Sequence, residues 1–128
     1  MKILDTTFLI DLLRGKEDAL KIINDKERLF TTQINMYEVI RGLMLKKISS
    51  SKMSEINEMF ESIKVLSLDD SAIVKAAGIS SDLIKKGIVI SDCDCLTAGI
   101  ALSKSINKIV TKNSKHFSRI KGIEVLSY

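Results

Sequence analysis

Three observations predict an α/β domain built on a parallel sheet. Short apolar runs alternate with longer segments of helical period, the pattern of strand–helix–strand units. Proline is absent and glycines number only 6, which argues against a loop-rich all-β domain. Apolar residues make up 45% of the chain but aromatic residues only 5%, so the core must be mostly Ile, Leu, Val, Met and Ala. At 128 residues the chain fits one domain spanning 1–128, with no linker, repeat or low-complexity stretch.

Residues 2–4 form the first apolar run and residues 7–14 a helix-like segment after it. Residues 29–31 read as a second strand. Residues 35–46 follow as a helix with Met36, Val39, Ile40, Leu43 and Met44 on one stripe. That stripe reads as core or as partner interface. Residues 50–61 read as a more exposed helix and residues 63–66 as a strand. Residues 71–86 carry Ile73, Ala76, Ala77, Leu83 and Ile84 at helical spacing, with Asp69 and Asp70 as cap candidates and Gly87 as the stop. Residues 88–90 are a further apolar run. Residues 96–102 are apolar or small nearly all round and read as a buried helix, where Ala98, Gly99 and Ala101 permit close approach of another element. Residues 108–111 and 123–126 complete the runs, not all of which need lie in one sheet.

The formal net charge of +4 favours an anionic partner only weakly, because the lysines are scattered. Cys93 and Cys95 stand too close together for a disulfide framework, and the chain has no other cysteine. They read as small, reduced residues, and a reducing cytoplasm is expected. No signal peptide or membrane-length apolar run is visible.

Ligand sites of parallel sheets lie beyond the carboxyl ends of the strands. Acids or their amides fall at four such positions. Asp5 follows residues 2–4, Glu38 lies in the helix after residues 29–31, Asp92 and Asp94 follow residues 88–90, and Asn113 follows residues 108–111. Each also has a plain structural reading: Asp5, Asp92 and Asp94 as helix caps, Asn113 as a turn residue, Glu38 as a surface residue. Carboxylates brought together repel one another unless a cation intervenes. Oxygen ligands without a His or Cys set suit Mg²⁺ or Mn²⁺ and not zinc.

Four segments in order resemble the PIN-domain family, in particular VapC-type toxins. They are Leu4-Asp5-Thr6-Thr7-Phe8-Leu9-Ile10-Asp11, Asn35-Met36-Tyr37-Glu38-Val39-Ile40-Arg41-Gly42, Ser91-Asp92-Cys93-Asp94-Cys95-Leu96-Thr97-Ala98, and Thr111-Lys112-Asn113-Ser114-Lys115-His116-Phe117. The resemblance implies a PIN-like three-layer α/β/α fold with a central parallel sheet of four or five strands. It implies an endoribonuclease whose Asp5, Glu38 and Asp94 hold Mg²⁺ or Mn²⁺, with Asp92 as auxiliary. Asn113 stands where the family often has Asp, and Thr6 and Thr111 match hydroxyl positions beside the acids. Arg14, Arg41, Lys112 and Lys115 are candidates to hold the RNA backbone, and His116 is a candidate contact to a phosphate or an acid. Asp11 reads as solvent-facing or structural. The implied partners are a VapB-type antitoxin, a second copy of the chain, and promoter DNA through the antitoxin alone. Two other readings stay open: a PIN-like domain that binds RNA or protein without cleaving, and a phosphohydrolase using Asp5 as nucleophile.

Overall fold

A computed structural model describes residues 1–24 and 26–128. Its elements are β1 (Lys2–Leu4), α1 (Thr6–Leu13), α2 (Glu17–Ile23), β2 (Leu29–Thr32), α3 (Gln33–Met44), α4 (Ser50–Ser62), β3 (Lys64–Leu66), α5 (Asp70–Lys85), α6 (Asp92–Ser103), β4 (Lys108–Val110), α7 (Ser114–Phe117) and β5 (Glu124–Leu126). The five strands form one sheet in the order β3-β2-β1-β4-β5, and every pairing is parallel. From β1 the chain steps outward to β2 and β3, then crosses to β4 and β5 on the other side. The strand order therefore reverses between β1 and β4, which is where such sheets open a crevice.

Side chains alternate across each strand, so the sheet buries both faces. Ile3 and Ile109 enter a cluster with Leu83, Cys95, Ala98, Ala101 and Phe117 from α5, α6 and α7. Leu4 and Val110 enter the opposite cluster, with Phe8, Leu9, Val39, Ile56 and Phe60 from α1, α3 and α4. Helices on both faces make the three layers. Among the described residues no helix is long and apolar enough to cross a membrane.

Among the described residues, local signals explain four of the seven helix starts and the end of α5. Thr32, Ser49, Asp69 and Ser91 each accept a hydrogen bond from a first-turn amide of α3, α4, α5 and α6. Gly87, at φ +73°, ends α5 in the left-handed region that glycine tolerates best.

Residues 88–90 are not a strand. Ile88 N–H bonds back to Leu83 O at 2.9 Å, closing the end of α5, and the chain then runs extended to the Ser91 cap. Ile88 and Ile90 pack against the α5–α6 cluster while Val89 is exposed. Alternating burial of an extended connector imitates a strand, although no ladder forms. Two short helices, α2 and α7, escaped the sequence reading. Neither has a side-chain cap, and α7 is only 4 residues long. On α5 the buried side chains are Ala72, Ala76 and Leu83, whereas Ile73 and Ile84 of the expected stripe face outward.

Small residues on α6 let α5 approach closely. A Cβ placed on Gly99 would lie 2.6 Å from Ala76 Cβ and 2.8 Å from Ala72 O. Gly99→Ala therefore forces the two helices apart, and overpacking of this kind costs about 1–3 kcal/mol, more than the roughly 1 kcal/mol of helix propensity alanine adds. A fall in the urea unfolding midpoint with unchanged slope is the expected result.

Candidate metal and nucleic-acid site

Asp5 sits at the carboxyl end of β1, its N–H bonded to Val110 O of β4 at 3.1 Å. It occupies the N-cap position of α1 but makes no side-chain cap. Instead its carboxylate turns into the crevice, only 3% exposed, where Asn35 Nδ2 donates to Oδ1 at 3.0 Å and Thr111 Oγ1 to Oδ2 at 2.6 Å. Burial drives its pKa from 3.8 up to about 6, partly offset by the Thr111 hydrogen bond, and the nearby Asp94 and Glu38 charges raise it further.

Glu38 lies in the second turn of α3, one turn later than the sequence reading placed it, because α3 starts at Gln33. Its Oε1 accepts from Thr6 Oγ1 at 2.9 Å, and Thr6 Oγ1 in turn accepts from Asn35 Nδ2 at 3.1 Å. Asn35 is thus the hub of this half of the site. It is fully buried, and its Oδ1 accepts from Thr32 Oγ1 at 2.7 Å, leaving no polar atom idle. Sequence reasoning quoted Asn35 but gave it no role. The available signal was a buried-type position, on the apolar face of α3 beside Val39, filled by an amide.

Asp94 lies in the first turn of α6, 8% exposed. Its backbone N–H, not its side chain, takes part in the cap, which Ser91 supplies. His116 Nδ1 lies 2.9 Å from Asp94 Oδ2. A carboxylate only accepts, so Nδ1 carries the proton in this contact. Asn113 Nδ2 stands 3.1 Å from the same nitrogen, but with that proton given to Asp94 two donors face each other and no hydrogen bond joins them. Asn113 reaches the site through its backbone: its carbonyl accepts from His116 N–H at 3.2 Å and its N–H donates to Thr111 Oγ1 at 2.8 Å. Thr111 is fully buried and links both arms.

Asp92 opens α6 on the exposed side and its side chain makes no hydrogen bond or ion pair among the described residues. Lys112 is committed elsewhere: its Nζ pairs with Asp11 Oδ2 at 2.9 Å. Asp11 is accordingly buried and structural. Arg14, Arg41 and Lys115 are exposed, Arg41 lying over the Tyr37 ring at 5.1 Å.

The charges are distributed unevenly. Asp11, Glu27, Glu55 and Asp69 each pair with a lysine, whereas among the described residues no lysine or arginine forms an ion pair with Asp5, Glu38 or Asp94. A buried Asp5 carboxylate pressed by the charges of Asp94 and Glu38, with no Lys or Arg counter-charge among the described residues, suits a hard cation with oxygen ligands. Each carboxylate oxygen offers two lone pairs, so the donors on Asp5 do not by themselves exclude a cation. No group of three His, Cys, Asp or Glu side chains among the described residues is already drawn together as a metal site. The donor chemistry therefore fits Mg²⁺ or Mn²⁺, and binding would have to draw the acids inward. A groove of about 970 Å³ lies away from these acids, against α5, Leu102 and Gly122.

Comparison with known proteins gives the family and the fold. A family model described as the PIN domain matches residues 2–123. Ribonuclease VapC1 of Methanocaldococcus jannaschii is 30% identical over 127 residues, covering 98% of this chain and 85% of the relative. The tRNA(fMet)-specific endonuclease VapC of Salmonella typhimurium is 25% identical over 124 residues, covering 95% and 93%. The crystal structure of DNA-bound VapBC from Salmonella typhimurium matches with a TM-score of 0.89 at 26% identity, covering 98% and 96%. With the acids at the β1–β4 switch point and this likeness over nearly the whole chain, the protein belongs to the PIN-domain family and is of the VapC type.

Proposed function

We propose that this VapC-type chain is a toxin endoribonuclease that hydrolyses RNA phosphodiesters with Mg²⁺ or Mn²⁺ held by Asp5, Glu38 and Asp94. The observation that carries the reading is that the charges of Asp94 and Glu38 both press on the buried Asp5 carboxylate, while among the described residues none of the three pairs with a lysine or arginine. When bound, the ion supplies a water of lowered pKa and offsets charge on the phosphoryl oxygens. The protein's own part is to hold the ligands. Asn35 and Thr111 fix the Asp5 carboxylate, Thr6 fixes Glu38, and His116, with the Asn113 carbonyl holding its backbone, fixes Asp94. Arg14, Arg41 and Lys115, free at the surface, serve the RNA backbone. Lys112 drops from that set, because Asp11 holds its ammonium.

A VapB-type antitoxin is the proposed partner, with DNA reached through it and a homodimer as the working assembly. The DNA-bound VapBC relative supports the first two. The free cysteines, Cys95 buried and Cys93 partly so, suit the cytoplasm. Binding of RNA without cleavage is a second reading, favoured by the acids not being drawn together. The nucleophile reading is disfavoured, since both Asp5 oxygens are engaged by donors in a buried setting.

The test is cleavage of RNA by purified protein with Mn²⁺ or Mg²⁺, with chelator, and in Asp94→Asn. Cleavage lost with chelator and reduced at least about 100-fold in the variant is expected for removal of a metal ligand. Full activity in either case would contradict the assignment, and RNA binding without turnover would select the second reading.

A further inference from the structure

Tyr128 lies two residues beyond β5, yet a chain of contacts leads from it to Asp5. Its hydroxyl donates to Asp11 Oδ2 at 2.7 Å, and its ring meets Phe8 edge-on with centroids 5.1 Å apart. Lys112 Nζ stands 4.9 Å from the ring centroid and pairs with the same Asp11 oxygen at 2.9 Å. Asp11 therefore ties α1, the segment after β4 and the segment after β5 at one buried carboxylate.

The side chain of Lys112 points to this clasp, while its backbone serves the acids. Lys112 N–H donates to Thr7 Oγ1 at 3.1 Å. Thr7 Oγ1 lies 3.2 Å from Thr111 Oγ1, whose one proton is given to Asp5 Oδ2 at 2.6 Å. Thr7 must then be the donor between the two hydroxyls. The next residue, Asn113, donates its N–H to Thr111 Oγ1 and accepts the His116 N–H at its carbonyl, and the His116 ring holds Asp94. Residues 111–113 thus set Asp5 and Asp94 relative to each other.

We propose that Tyr128 is a positioning residue: by donating to Asp11 it fixes Lys112, and through Thr7 and Thr111 it fixes the carboxylate of Asp5. The catalytic part of this inference rests on the ribonuclease reading above. The competing role is simple packing, since the Tyr128 ring belongs to the cluster around Phe8. Tyr128→Phe separates the two, because it keeps the ring against Phe8 and Lys112 and deletes only the hydroxyl.

The experiment compares wild type, Tyr128→Phe, Thr7→Val and the double variant at a temperature where all are folded. Three quantities are read: exchange of the Lys112 amide without metal, the Mn²⁺ dissociation constant by calorimetry, and kcat and KM on RNA. In Tyr128→Phe the Lys112 amide should exchange faster, Mn²⁺ should bind several-fold more weakly, and kcat should fall about tenfold with KM within about twofold. Because both residues act along one chain, the double variant should be little worse than the worse single. Unchanged Mn²⁺ affinity and amide exchange in Tyr128→Phe would overturn the proposal, as would fully additive effects. If the wild type binds Mn²⁺ but cleaves no RNA, the ribonuclease reading fails by itself, and the amide and Mn²⁺ measurements still decide for or against Tyr128.

Discussion

Asp5→Asn is expected to make the metal-free protein more stable at pH 7 while abolishing its response to Mn²⁺. Native Asp5 holds its proton to about pH 6, against 3.8 for the ordinary carboxyl. Between these values the native state binds more protons than the unfolded chain, so stability falls as pH rises through the window. Below about pH 4 both states are protonated and the penalty is absent. Above about pH 6 it is fully present, on the order of 3 kcal/mol for a shift of this size. An amide at position 5 carries no charge to desolvate. Part of the gain is lost because an amide cannot accept from both Asn35 and Thr111 as the carboxylate does. A net gain of about 1–3 kcal/mol at pH 7 remains, read as a higher urea midpoint in chelator. At pH 4 the advantage should vanish. With Mn²⁺ the order reverses, because only the wild type gains stability from a ligand bound by its native state. An Asp5→Asn protein that is less stable than wild type at pH 7 in chelator would show that the Asp5 charge is not a stored strain of this site.

Asn35→Asp is expected to act in the opposite sense and more strongly. The change is nearly isosteric, but it replaces the Nδ2 that donates to Asp5 Oδ1 at 3.0 Å by an oxygen. Two carboxylates then face each other in a buried pocket, and both cannot stay ionised. The hydrogen bond from Nδ2 to Thr6 Oγ1 goes too, which loosens Glu38. An uncompensated buried charge costs about 3–5 kcal/mol. Much of that loss should return as pH falls toward 5, where a shared proton bridges the pair. Urea unfolding at pH 7.5 and pH 5 measures both effects. An Asn35→Asp protein as stable as wild type at pH 7.5 would remove Asn35 from its place as the donor to Asp5.

These two residues also mark how far the sequence could be read. Asp5 and Asp94 were legible because each follows a three-residue apolar run, although for Asp94 that run, residues 88–90, is a connector and not a strand. The sheet was legible for the same reason, since all five of its strands fall on apolar runs of the sequence. Residues 88–90 misled because alternation reports side-chain burial and not strand pairing. The hydrogen-bond network was not legible. Asn35 meets Asp5 only after α1 and α3 pack beside each other, Thr7 and Thr32 serve the acids only through Thr111 and Asn35, and polar residues carry no mark of which distant carboxylate they serve. Lys112 shows the same limit for charge. Its place beside the fourth motif suggested RNA, but the fold delivers its ammonium to Asp11.

One measurement bears most directly on the shared-cation claim: anomalous diffraction from crystals soaked in Mn²⁺. The expected result is a manganese peak within bonding distance of carboxylate oxygens of Asp5 and Asp94, with Glu38 facing it directly or through water. A protein that cleaves RNA in Mn²⁺ but shows no peak there, or shows it bound at other residues, would contradict the assignment of these three acids.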